Sequence, residues 1–135
     1  MSSMNSLDMD GPFKLDPATV RKVVQGGMPG NFALGHLDGG KRFAVQYVGR
    51  HDVDVLDGLM AALRAGIGQP GLTARLFGSD RRANAFKFSY AVDQRAAFEK
   101  QCRNYHDFNA SGKLENGSHP ASPSGSGLSC PTCGA

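Results

Sequence analysis

Two short apolar runs, residues 31–37 (NFALGHL) and 42–48 (RFAVQYV), flank Asp38-Gly39-Gly40, and this pattern constrains the fold more than any other in the chain. Aspartate and glycine supply the backbone torsions of a tight turn, so the stretch predicts a β-hairpin. Strict alternation puts Phe43, Val45 and Tyr47 on one face of the second strand and Ala44, Gln46 and Val48 on the other. The strand is expected to end on Tyr47-Val48-Gly49-Arg50, with a phenol, a flexible glycine and a guanidinium side by side at its mouth.

Helical patterns surround the hairpin. Asp16-Pro17 followed by Val20, Val23 and Val24 reads as an N-cap, a proline at the first helical position and an apolar face that stops at Gly26-Gly27. In residues 54–65, Val55, Leu56, Leu59, Met60 and Leu63 recur at the helical period, and Gly66 with Gly68-Gln69-Pro70-Gly71 ends the run. Residues 84–91 (NAFKFSYA) alternate again, with Phe86, Phe88 and Tyr90 on one face, and predict a third strand. Asp93 then caps a helix through about Phe108, whose inward stripe is Ala97 or Phe98, Cys102, Tyr105 and Phe108. Residues 72–82 show no clear period. The expected fold is α+β: a small, largely antiparallel, three-stranded sheet packed by helices.

A chain of 135 residues has room for one core. The polar start, 1–11, reads as unstructured, 12–108 as the folded domain, and 109–135 as a flexible Gly/Ser/Pro-rich arm. No run is long and apolar enough for a bilayer, and the start has no apolar signal core, so the expectation is a cytoplasmic protein with no membrane partner. A net charge of +3 permits a polyanionic partner without requiring one.

Three cysteines, Cys102, Cys130 and Cys133, disfavour a disulfide framework. The arm ends in CPTCG, and two thiolates two residues apart can grip one zinc ion from a tight turn. Cys130 and Cys133 are half a site, which His119, Cys102, His106 or a second chain would complete; the alternative is a pair of exposed, redox-sensitive thiols.

The order of elements resembles the GIY-YIG endonuclease superfamily over roughly residues 28–108. Gly30-Asn31-Phe32 stands where that family has its first tripeptide, Tyr47-Val48-Gly49 where it has the second, and AFEKQCRNYHDF places Glu99 on the later helix. YVGR and the FEK to YHDF segment resemble those of a subset of small bacterial members. The resemblance implies hydrolysis of a nucleic-acid phosphodiester with one divalent ion, magnesium or manganese, held by Glu99. It also implies a water-activating tyrosine at Tyr47 and a phosphate-steadying arginine. A cation and an arginine fork suit the charge that grows on a phosphodiester during displacement. This chain departs from the pattern in two places. Phe32 lacks the hydroxyl of the first tripeptide's tyrosine, and residues 53–60 hold no basic residue, which leaves Arg50, ahead of Arg64, to substitute. The family's late asparagine has two counterparts, Asn109 and Asn116.

Each candidate has a structural alternative. Tyr47, aided by Arg50 or His51, is either the water-orienting phenol or an amphipathic strand tyrosine. Glu99 is either a metal ligand or a surface glutamate paired with Arg95 or Arg103. His106 is a proton-transfer or metal group, or a histidine serving the last helix carbonyls. Arg64, Arg75, Arg81, Arg82, Lys87 and Arg95 form either a phosphate-binding surface, with Arg81-Arg82 best placed, or a solvated face. The expected function is therefore a metal-dependent endonuclease acting on nucleic acid, DNA ahead of RNA. The alternatives are an inactive, nuclease-derived DNA- or RNA-binding module and a protein-interaction domain using the cysteine arm.

Overall fold

The computed structural model describes residues 7–39, 41–69, 82–109, 114–116 and 118–134. Arg75, Arg81 and nearly all of the aperiodic segment 72–82 lie outside the described residues. In chain order the elements are β1 (Asp10–Lys14), α1 (Pro17–Val23), β2 (Gly30–Leu37), β3 (Phe43–His51), α2 (Val55–Ala65), β4 (Ala85–Tyr90) and α3 (Gln94–Phe108). The fold is α+β with an antiparallel sheet, but the sheet has four strands, in the order β1-β4-β2-β3, where three were expected. The extra strand is DGPFK, which crosses the boundary drawn at residue 12. Its polar, proline-bearing sequence carries no strand period, and it forms by pairing with β4 across most of the chain.

Every helix start follows from its sequence. Asp16, Asp54 and Asp93 sit in extended conformation and accept from the first free backbone N–H groups, Asp16 from Thr19, Asp54 from Leu56 and Asp93 from Ala96. Gly66 ends α2 in the left-handed region, at φ 70°. Helices cover both faces of the sheet. On one face, Val20 and Val24 near α1 and Val55, Leu59 and Ala62 of α2 pack on Phe32, Leu34, Phe86 and Phe88. On the other, Tyr105 and Phe108 of α3, with Leu7 and Leu114, pack on Ala33, Phe43, Val48 and Ala85.

The alternation in β3 breaks midway. Leu34 faces Tyr47 but Gly35 faces Val45, so Gln46 is a bulge. One inserted residue reverses the faces downstream, and Tyr47 joins the α1/α2 core while Phe43 and Val45 stay on the α3 side. The common face expected for Phe43, Val45 and Tyr47 is thus corrected. The strand also runs on to His51, so Tyr47, Gly49 and Arg50 lie within it and not at its mouth. Gly49 is where Phe32 crosses β3: a Cβ built there would fall 2.7 Å from Phe32 Cε2. The ring retained at Phe32 fills the space that the glycine leaves open.

β3 is an edge strand, and the arm covers it. Leu114 is buried against Val48 and Phe43, Glu115 N–H donates to the Gln46 carbonyl at 2.6 Å, and the Asn116 side chain bonds both backbone groups of Val48. A carboxamide with one donor and one acceptor can stand in for a neighbouring strand. The Gly/Ser-rich composition marks residues 109–135 as an arm without a core, but the described part lies docked on β3 and α3.

Candidate metal centre and adjoining cleft

Four side chains converge where the arm returns to α3. His106, in the last turn of the helix, meets His119, Cys130 and Cys133, with one ligand atom from each lying within 4.8 Å of all the others. The nitrogens His106 Nε2 and His119 Nε2 are 3.2 Å apart, Cys130 Sγ is 3.5 Å from His106 Nε2, and Cys133 Sγ is 3.4 Å from His119 Nε2. Tetrahedral zinc with nitrogen at about 2.05 Å and sulfur at about 2.3 Å needs ligand separations of about 3.3–3.8 Å. The three contacts of 3.2, 3.5 and 3.4 Å lie close to such edges, so the four residues could hold a metal such as zinc.

The surroundings fit the same role. The Pro120 carbonyl lies 2.8 Å from His119 Nδ1, which makes Nδ1 the protonated nitrogen and leaves the Nε2 lone pair facing the other ligands. Thr132 N–H donates to Cys130 Sγ at 3.4 Å, and Gly134 N–H to the Cys130 carbonyl at 2.8 Å, closing the tight turn expected of CPTCG. Burial alone would raise the Cys130 thiol, but the backbone N–H groups of Cys133 and Thr132, with His119, outweigh it and bring the thiol down to about 5. The third cysteine stays outside the ligand set. Cys102 is fully buried with Phe98 and Cys130, and burial, followed by its bond with Cys130, pushes it up to about 12. Of the partners proposed for the half site, His106 and His119 are the two that stand with Cys130 and Cys133.

A cleft of about 330 Å³ opens at the β3 edge, lined by Tyr47, Arg50, His51, Asp52, Gln101 and Ala121. Arg50 is held on every side. Its Nε donates to Asp52 at 2.8 Å, Nη1 to Gln101 Oε1 at 2.7 Å and Nη2 to the Ala121 carbonyl at 2.6 Å, while Phe98 lies under the guanidinium with its centroid 5.1 Å from Cζ. Among the described residues these contacts take three of its five N–H groups. His51 Nδ1 accepts from the Val53 and Asp54 N–H groups at 3.1 and 2.8 Å, which assigns the proton to Nε2. Burial raises the Tyr47 hydroxyl above its usual range, so it is a neutral donor at pH 7 and not the phenolate that neighbouring cations would favour.

The other candidates stand apart from this cleft. Glu99 pairs with Arg95, Nε to Oε2 at 3.2 Å, one turn along α3. It lies two residues, about 200° of helix rotation, from the Gln101 that faces Arg50. Arg64 is exposed in the last turn of α2 and lines no part of the cleft. Lys87 lies over the Phe43 ring, 5.6 Å from its centroid, and Arg82 is exposed at the start of the β4 region. Of the two late asparagines, Asn116 clamps Val48, while Asn109 accepts from Leu114 N–H at 3.1 Å.

Sequence reasoning did not anticipate Asp52, Gln101, Ala121 or Phe98 as Arg50's partners. Asp52 alone carried a signal, because residues two apart share a side of an extended chain.

No protein-family model, curated protein or solved structure matches this chain. Among the described residues no helix is long and apolar enough to cross a membrane.

Proposed function

We propose that the chain is a zinc-stapled domain whose cleft at the β3 edge holds a phosphate of a nucleic-acid backbone. The carrying observation is that Tyr47, Arg50 and His51, three side chains of unlike type that can donate hydrogen bonds, line one opening. Phosphate oxygens accept from such donors, and an arginine already fixed by other contacts loses little freedom on binding. Zinc is the fitting ion for the neighbouring cluster, since two histidines and two cysteines are the donor set of a closed, structural zinc site.

The test is fluorescence anisotropy of a labelled single-stranded DNA, and of the matching RNA, with the zinc-loaded chain at increasing salt. Binding that weakens steeply with salt and is reduced by Arg50→Gln and Tyr47→Phe supports the reading. Absence of binding to either strand at low salt sinks it.

Hydrolysis is the second reading. It draws on Asp52, the one carboxylate among the described residues lining the cleft, as a seat for magnesium or manganese beside Tyr47. Incubation of supercoiled plasmid and structured DNA with either ion tests it, and intact substrate in both disposes of it.

A further inference from the structure

The metal centre and the cleft are joined by the chain itself. His119 is a ligand, and two residues later the Ala121 carbonyl accepts from Arg50 Nη2 at 2.6 Å. A second link runs through side chains. Cys130 packs with Phe98, and Phe98 is the ring beneath the Arg50 guanidinium. Two ligands of one centre thus reach Arg50 by separate routes, one through a backbone carbonyl and one through an aromatic face.

The geometry points to metal loading of His106, His119, Cys130 and Cys133 as the device that positions Arg50 in the cleft. The inference rests on the phosphate-binding reading and names its regulation. With the ion bound, the arm is docked, and Ala121 and Arg50 both form part of the cleft wall. Without it, His119 and Cys130 are no longer tied to α3, the Ala121 carbonyl leaves with the arm, and Arg50 keeps only Asp52 and Gln101. Arg50 then turns toward these two, and its pre-set place in the cleft wall is lost. The coupling needs a contiguous element with two states, and the docked and released arm supplies it. Ala121 is a positioning residue, because it acts on the ligand only through Arg50.

The experiment uses the full chain in two forms, zinc-loaded and stripped with a chelator, and a fluorescein-labelled single-stranded DNA as probe. Far-UV circular dichroism checks that the sheet persists after stripping. Stripping is expected to weaken binding about tenfold, as for one lost hydrogen bond to a charged group. Restored zinc should recover it, and Cys133→Ser, at an exposed ligand, should reproduce the stripped state. In an Arg50→Gln background the residual binding should no longer respond to zinc, a result that general loosening of the fold would not give.

Equal binding by both forms overturns the coupling and leaves the phosphate-binding reading standing. Tighter binding after stripping also overturns it, and makes the arm a cover over the cleft. A zinc response that persists in Arg50→Gln refutes the route through Arg50. No binding by either form overturns the phosphate-binding reading and the coupling together.

Discussion

Removing the metal should release the arm while leaving the sheet folded, and the size of the effect follows from what the arm buries. Fixing a residue costs about 1 kcal/mol of backbone freedom, which for the described stretch from Leu114 to Gly134 comes to on the order of 20 kcal/mol. The buried side chains in that stretch are Leu114, Pro120, Pro123 and Cys130, each worth about 1–2 kcal/mol. They fall well short, and a structural zinc site, at about 10–16 kcal/mol, makes up most of the difference. On this reckoning the arm's order would depend on an ion held by the cluster, while the core of β1–β4 and α1–α3 would not. What the core loses is mainly Leu114 from the cluster with Val48, Phe43 and Ala85, or about 2 kcal/mol. For a domain of this size that is about 5–10 °C in the melting midpoint. Amide hydrogen exchange read by mass spectrometry, with and without a chelator, should show the segment 118–134 losing protection while β2 and β4 keep theirs. Cys133→Ser should show the same pattern with zinc present. Unchanged protection of 118–134 after stripping would refute the reasoning, because the arm would then be held by contacts alone.

Other substitutions probe the remaining parts. Gly49→Ala pushes a methyl into the Phe32 ring and should cost about 1–3 kcal/mol by chemical denaturation, while Phe32→Leu in the same chain should recover part of that loss. Tyr47 has its folded value raised by burial, so its contribution to stability is fully present below the unfolded value near 10 and is lost as pH rises through the folded value. Ultraviolet titration should show one tyrosine ionising later than the others, and Tyr47→Phe should abolish that late step. Glu99→Gln breaks only an exposed pair with Arg95 and should change stability by less than about 0.5 kcal/mol, with metal content by elemental analysis unaltered. A drop in bound metal would restore Glu99 as a ligand.

Local signals in the sequence were strong where the structure is local. The aspartate caps at Asp16 and Asp93, the hairpin around Asp38-Gly39 and the alternation of residues 84–91 each rest on chemistry within a few positions, and all are found. CPTCG was legible as half a metal site for the same reason, and its two histidine partners could be named but not chosen. β1 was not legible, because its strand exists only through β4, some seventy-five residues away. The bulge at Gln46 escaped notice because nothing in RFAVQYV breaks the alternation; the register is set across the sheet by Gly35 and Leu34. Composition misjudged the arm for a related reason. A segment with little to bury is flexible by itself, but four ligands at one point can supply what apolar area does not. Glu99 and Arg50 show the converse. The residues were singled out on neighbours in sequence, and their partners, Arg95 for one and Gln101, Ala121 and Phe98 for the other, decide what each is free to do.

The covering of β3 by the arm bears on solubility as well as on the cleft. A sheet has two borders, and an unprotected border recruits strands from other molecules. The β1 border is broken by Gly11 and Pro12, with Lys14 exposed, and so defends itself by covalent means. The β3 border carries the bulge at Gln46 but neither proline nor glycine in RFAVQYV, which is β-prone, and it is shielded by Glu115 and by the side chain of Asn116. That shield is only as durable as the arm's hold on α3, where His119, Cys130 and Cys133, which follow it in the chain, meet His106. Zinc supply would then set the concentration at which this chain stays monodisperse, and starvation for the metal would be felt first as self-association along a single strand.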